Sequence, residues 1–412
     1  MNFQKSFLML VISLCSITFT SAKTSSNWQP HFLFGESFFP SFAVATSTYK
    51  NILEGLILNS EKNSQDPRGQ IGVEVIPYQK SYTLKVKISC DEIMFPTEAS
   101  ITVNPKNKKF IFHPKLDYKW TELKKAQQTR PITIKITTWI NGKLQDTKMS
   151  TLTLQSINNC PYTCISKENE IIDLNYMYAA YVNEDHPIIN NVLLKEMLSQ
   201  GAINQISAYQ TKNPADVYAQ VFAVWNMLQK RGIKYSSLYA AGNRDQSFLP
   251  IVYHQYVRTV DDALTGEQAN CVDGTVLMAS ILYRMGINPL IITTPYHCFL
   301  AYELGNGTIS FLETTMLGSE ISAENSAAVK TYDIYNPTLG AKFGKVYDNF
   351  IAATLTGKIT YDKDADKFNN YSTFVRLSIV TNENRSDLVN RLQYQKYPVA
   401  QYKDRGLQSI YK

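Results

Sequence analysis

At about Cys164 the apolar pattern of this 412-residue chain changes period, from two to 3.6. A strand hides every second side chain and a helix every third or fourth, so each half is written for a different kind of element. Before the change, Tyr82, Leu84, Val86 and Ile88 alternate with Thr83, Lys85, Lys87 and Ser89, and Ile132, Ile134 and Ile136 alternate with Thr133, Lys135 and Thr137. Asn141-Gly142 is a two-residue hairpin signal, with Met149, Leu152 and Leu154 in the strand after it. Further short apolar runs lie at 71–76, 101–103 and 110–112. Strands of this spacing lead to the expectation of an immunoglobulin-like antiparallel β-sandwich over 30–160. His31 and His113 are scattered within it and read as surface or structural residues.

After Cys164 helical spacing takes over. Asn213-Pro214 opens a helix with an N-cap and a proline at its first position; Val217, Val221, Val224, Trp225 and Leu228 share one face, and Gly232 ends it. A second helix is expected from about Asn270 to Gly286, with Val276, Leu277, Ile281 and Leu282 inward. Strands are expected at 290–293, 297–304 and 309–315. Together the two halves make an α+β chain, with a unit over 170–325 and a C-terminal extension over 326–412. In that extension a helix is expected at 343–355 and a strand at 374–380, packed on the unit before it.

The first 22 residues read as a secretory signal: Lys5, an apolar stretch from Phe7 to Phe19, then Thr20-Ser21-Ala22. Cleavage after Ala22 is favoured over lipidation at Cys15, because Leu14 stands where a small residue is required. The remaining chain, about 390 residues, is then exported to the periplasm or the outside and has no run long enough to span a membrane. A net charge of +6 without a dense Lys/Arg run argues against a nucleic-acid groove. Five cysteines remain after cleavage, an odd number that leaves at least one free thiol. Cys160 and Cys164 either bridge each other or one of them reaches Cys90. No second Cys or His pair lies near them, so zinc is not expected, and no cofactor motif is present. Asp362, Asp364 and Asp366 open like a calcium loop, but Lys367 replaces its glycine and Thr373 its closing glutamate. A solvated acidic turn is the better reading.

Cys271 opens a helix, where free N–H groups and a partial positive charge favour a thiolate and offer donors to an oxyanion. His297 begins a strand. His254 is its rival as a base, and His186 sits in a loop before Pro187. Hairpin register supplies an independent argument. With Gly305-Asn306-Gly307 as the loop, Leu304 pairs with Thr308 and Phe299 with Glu313, which puts His297 and Glu313 on one face as diagonal neighbours. A two-residue turn would send Glu313 to the other face. A carboxylate beside the imidazole fixes its orientation and stabilises the imidazolium. Gln255 is a candidate oxyanion donor, Asn270 and Asp273 are candidate caps of the Cys271 helix, and Arg258 a structural ion-pair residue.

Several motifs in order resemble a transglutaminase-like core: Trp225-x-x-Leu228, Gly232-Ile233-x-Tyr235, Gln255-x-Val257-Arg258 and Asn270-Cys271-Val272-Asp273-Gly274, then Gly286-Ile287-x-Pro289, His297-x-Phe299-Leu300 and Phe311-Leu312-Glu313-Thr314-Thr315. The resemblance covers roughly 170–320. It implies a papain-like fold with Cys271 as nucleophile, His297 as base and Glu313 as orienting acid, acting on a protein or peptide substrate. The chain departs from the family in three places: Glu313 stands where aspartate is usual, Tyr296 where related bacterial sequences often have glycine, and Cys298 follows the histidine. The implied chemistry is acyl transfer through a thioester, with hydrolysis preferred to cross-linking. The rival expectations are an inactive scaffold serving as a binding module, and an enzyme controlled by reversible capping of Cys271.

Overall fold

The computed structural model describes residues 27–47, 69–76, 80–104, 109–167, 171–237, 249–368 and 394–402. The signal segment, Cys15 and the strand expected at 374–380 lie outside them.

The period-two segments form strands in the expected places. Tyr82–Cys90 pairs antiparallel with Met94–Val103 on one side and Arg130–Ile140 on the other, burying Tyr82, Leu84, Val86 and Ile88 on one face. Asn141 and Gly142 both take positive φ, at 49° and 78°, and return the chain into Lys143–Leu154. This five-stranded sheet is completed by Ser37–Phe38, which pairs parallel with Thr153 and Leu154. A second, three-stranded sheet joins Trp28–Phe32, Ile71–Val75 and Phe110–Phe112. Within it His31 and His113 are buried and bonded to each other, Nδ1 to Nε2, at 2.8 Å. Desolvation there holds His31 well below the usual histidine range, with the His113 and lysine charges adding to it. They are structural residues and not surface ones.

The strand Asn159–Ile165 belongs with the chain that follows it, pairing with Ile171–Asp173 and with Ile251–Tyr256. Both Cys160 and Cys164 lie on this one strand. Four residues of extended chain span about 13 Å, so they cannot bridge. Cys90, Cys160, Cys164, Cys271 and Cys298 form no disulfide.

Helix Pro214–Lys230 has the expected cap, Asn213 Oδ1 accepting from the Ala215 N–H at 3.1 Å, and buries Val217, Val221, Val224, Trp225 and Leu228. Helix Cys271–Arg284 lies against a four-stranded sheet ordered Ile309–Leu312, His297–Glu303, Pro289–Thr294 and Gln395–Pro398. The last strand comes from the end of the chain; its Tyr397 hydroxyl donates to buried Asp173 Oδ2 at 3.0 Å. Desolvation raises Asp173 to about 6 against the pull of its Asn175 and Tyr397 bonds. The architecture is α+β.

The C-terminal helix differs from expectation. Gly344, at φ 54° and ψ −131°, separates Pro337–Phe343 from Lys345–Lys363, so the helix starts later and runs to Lys363. The backbone of Gly344 is one that only glycine adopts cheaply. Asp362 and Asp364 end this segment paired with Lys358 and Lys367, each at 2.6 Å, an acidic turn without a calcium loop. Among the described residues no helix is long and apolar enough to cross a membrane, and no cluster of three metal-ligating side chains is found.

Candidate active site

Cys271 is the first residue of its helix, half-buried at the edge of the core. The preceding residue, Asn270, accepts from the N–H groups of Val272 and Asp273 at 2.9 Å each, while Asp273 Oδ2 accepts from the Asn270 N–H at 3.0 Å. This reciprocal cap fastens both sides of the thiol. Asp273 also holds Arg258: its Oδ1 accepts from the Arg258 N–H at 2.7 Å and its Oδ2 lies 2.6 Å from Nη1. Burial raises the Asp273 carboxyl despite these bonds. Asn270 and Asp273 are therefore caps of the helix, and Arg258 is an ion-pair residue that ties the chain after Ile251–Tyr256 to it.

The cap changes which donors an oxyanion would meet. The Val272 and Asp273 N–H groups are consumed by Asn270 Oδ1, and that of Gly274 goes to the Asn270 carbonyl at 3.0 Å. The Cys271 N–H is the first-turn donor that the cap leaves over. Gln255 stands on Ile251–Tyr256 opposite Cys160, half-buried and three residues before Arg258. No bond from it to Cys271 is formed. His254 is on the same strand with its ring edge toward Phe39, and burial lowers its pKa. His186 bonds Asp261 at 3.0 Å and accepts from the Ile188 N–H. Neither histidine pairs with the thiol.

His297 opens the strand His297–Glu303, and its Nε2 lies 2.7 Å from Glu313 Oε2. The register beneath this contact is the expected one: Leu304 N–H donates to the Thr308 carbonyl at 2.9 Å, and Leu300 opposes Leu312. The ladder then stops, and Glu313 caps a short turn of 3₁₀ helix, Thr314–Met316. Glu313 Oε1 accepts from the Thr315 N–H at 3.1 Å and the Thr315 hydroxyl at 2.6 Å. Its own N–H donates to the Ala353 carbonyl at 3.0 Å, on the C-terminal helix. Burial opposes ionisation of Glu313, but its bonds to His297 and Thr315 outweigh that and keep it below the usual carboxylate range. Burial likewise opposes charge on His297, yet the influence of Cys271 and Glu313 prevails and lifts its pKa to about 10. One ring nitrogen is occupied by the acid, which leaves the other for the thiol.

Thr314 and Thr315, which the motif after Glu313 contains without a role, hold the acid's segment in place. Thr314 Oγ1 approaches the Cys271 carbonyl at 3.5 Å and Thr275 Oγ1 at 3.3 Å, seating the Glu313 segment on the first turn of the Cys271 helix. Gly274 permits this approach, because a Cβ there would lie 3.2 Å from Thr314 Cβ and Oγ1. The Asn-Cys-Val-Asp-Gly string held that signal in its glycine.

Cys298 is buried on the side of the strand that faces the Cys271 helix, and burial first, then the nearby Cys271, pushes its pKa well up. Tyr296 lies in the two-residue turn between Pro289–Thr294 and His297–Glu303, at φ 66° and 84% exposed. A left-handed conformation costs a residue other than glycine about 1–2 kcal/mol, which explains why glycine suits this position. Compared with known proteins, the chain matches no family model and no curated sequence.

Proposed function

We propose that the chain is an exported thiol enzyme, similar to transglutaminases, that transfers the acyl group of a carboxamide in a protein or peptide substrate. The observation that carries the reading is His297 held at 2.7 Å by Glu313 while its ring interacts with Cys271 at a helix N-terminus. An imidazolium and a helix N-terminus both stand where the charge of a thiolate would lie. The Cys271 sulfur attacks the carbonyl carbon, and the oxyanion is met by the Cys271 N–H with Gln255 as second donor. His297 passes a proton to the leaving amine, and a thioester remains. Water, giving its proton to His297, then releases the acid. Hydrolysis is favoured over transfer to a second amine because Cys271 and His297 are both partly open to solvent. In this reading 30–160 is a β-sandwich, 170–325 a papain-like catalytic unit and 326–412 an extension that supports Glu313, while 1–22 directs export.

The test is labelling with limiting iodoacetamide at pH 6–7, read by intact mass. Rapid single labelling is expected in the wild type, absent in Cys271→Ala and slower by about 100-fold in His297→Ala. A Cys271 that reacts no faster than an ordinary thiol would leave an inactive binding scaffold as the better account.

A further inference from the structure

The turn that delivers His297 is an unfavourable one for its sequence. Pro295 and Tyr296 link Thr294 to its ladder partner His297. Proline suits the first central position of such a turn, but the second requires positive φ, which glycine adopts freely and tyrosine seldom does. Tyr296 adopts it, at 66°. Its ring is also the most exposed large apolar side chain among the described residues, at 84%. The tyrosine therefore neither eases the turn nor fills the core. A left-handed backbone that presents an exposed ring, one residue from His297, points to a role in binding.

Two more exposed tyrosines stand near the same centre. Tyr235 pairs with Ala269, two residues before Cys271, and Tyr256 lies two residues before Arg258, whose N–H is fastened to Asp273. An exposed aromatic ring gains most from a flat apolar partner, which adds ring-to-ring contact to the area removed from water. Because the reaction proposed above attacks a carboxamide, the groups flanking the reacting carbon are amino-acid side chains. We infer that Tyr296 is a specificity-determining residue, packing its ring against an aromatic or other flat apolar side chain of a peptide next to the carboxamide that Cys271 attacks. The inference rests on the thiol reading of the site.

The experiment compares alkylation of Cys271 in the full chain by dipeptide chloroacetamides carrying Phe, Ala or Lys beside the reactive group, and by chloroacetyl glucosamine. Each rate is divided by the iodoacetamide rate of the same variant, which separates recognition from thiol reactivity. In the wild type the Phe probe is expected to lead the Ala probe by about tenfold, with the Lys probe slowest. That lead is expected to persist in Tyr296→Phe and to vanish in Tyr296→Ala and Tyr296→Gly, of which the glycine variant also relieves the turn. A lead that survives in Tyr296→Gly, or a wild type that prefers the glucosamine probe, overturns the assignment. Slow iodoacetamide labelling in the wild type would instead sink the thiol reading, and this one with it.

Discussion

His297 and Glu313 meet at 2.7 Å although the β-ladder that aligns them ends one pair earlier, at Leu300 and Leu312. The contact therefore depends on what holds Glu313 beyond the strand, namely Thr315 and the Ala353 carbonyl. Because Cys271 and Glu313 lift the folded-state pKa of His297 to about 10, above its ordinary 6.5, its charged form contributes its full stability below about pH 6.5. That contribution declines as pH rises toward 10. The imidazole resonances of His297 should accordingly show a proton retained from pH 7 to about 9, and Glu313→Gln should move its release to lower pH. An unchanged titration in that variant would show that Glu313 does not hold the charge.

Gly357 on the C-terminal helix packs against the backbone of the segment carrying the acid. A Cβ there would lie 2.9 Å from Leu312 N and 3.2 Å from Glu313 N, distances that force backbone to move. Gly357→Ala is expected to destabilise the fold by about 1–3 kcal/mol in urea titration and to slow iodoacetamide labelling of Cys271. Normal labelling with lowered stability would separate the buttress from the site.

Asp273 neutralises Arg258 and completes the cap beside the thiol, with both oxygens engaged in a buried setting. Asp273→Asn leaves the Arg258 charge uncompensated and is expected to reduce the unfolding free energy by about 3 kcal/mol. A loss below about 1 kcal/mol by the same titration would mean that water replaces the carboxylate there.

Thiol counting offers a check that needs no substrate. Cys90, Cys160, Cys164 and Cys298 are buried, and burial raises the pKa of Cys90, Cys160 and Cys298. Of the five, only Cys271 should react with an aromatic disulfide reagent in the native protein, and the other four only in denaturant. Fast native reaction of Cys298 would mean that the strand beginning at His297 opens to solvent.

Local patterns carried most of what was legible. Alternating side chains marked Tyr82–Cys90 and Arg130–Ile140, Asn141-Gly142 marked their hairpin, and Asn213-Pro214 marked a helix start, because each signal acts over a few residues through pleat, turn or cap geometry. The loop Gly305-Asn306-Gly307 likewise set the register that puts His297 and Glu313 on one face. Long-range partners were not legible. That Cys160 and Cys164 do not bridge each other follows from their lying along a single strand, which pairs with Ile251–Tyr256 some ninety residues on. The burial of His31 against His113, the use of first-turn N–H groups by Asn270, and the support of Glu313 by Ala353 and Gly357 were decided only when distant segments packed. Period, turn and cap are properties of neighbours in the chain, whereas close approach and burial depend on which segments the core brings together. For that reason the sequence by itself named Cys271, His297 and Glu313, and the tertiary structure decided how each is held.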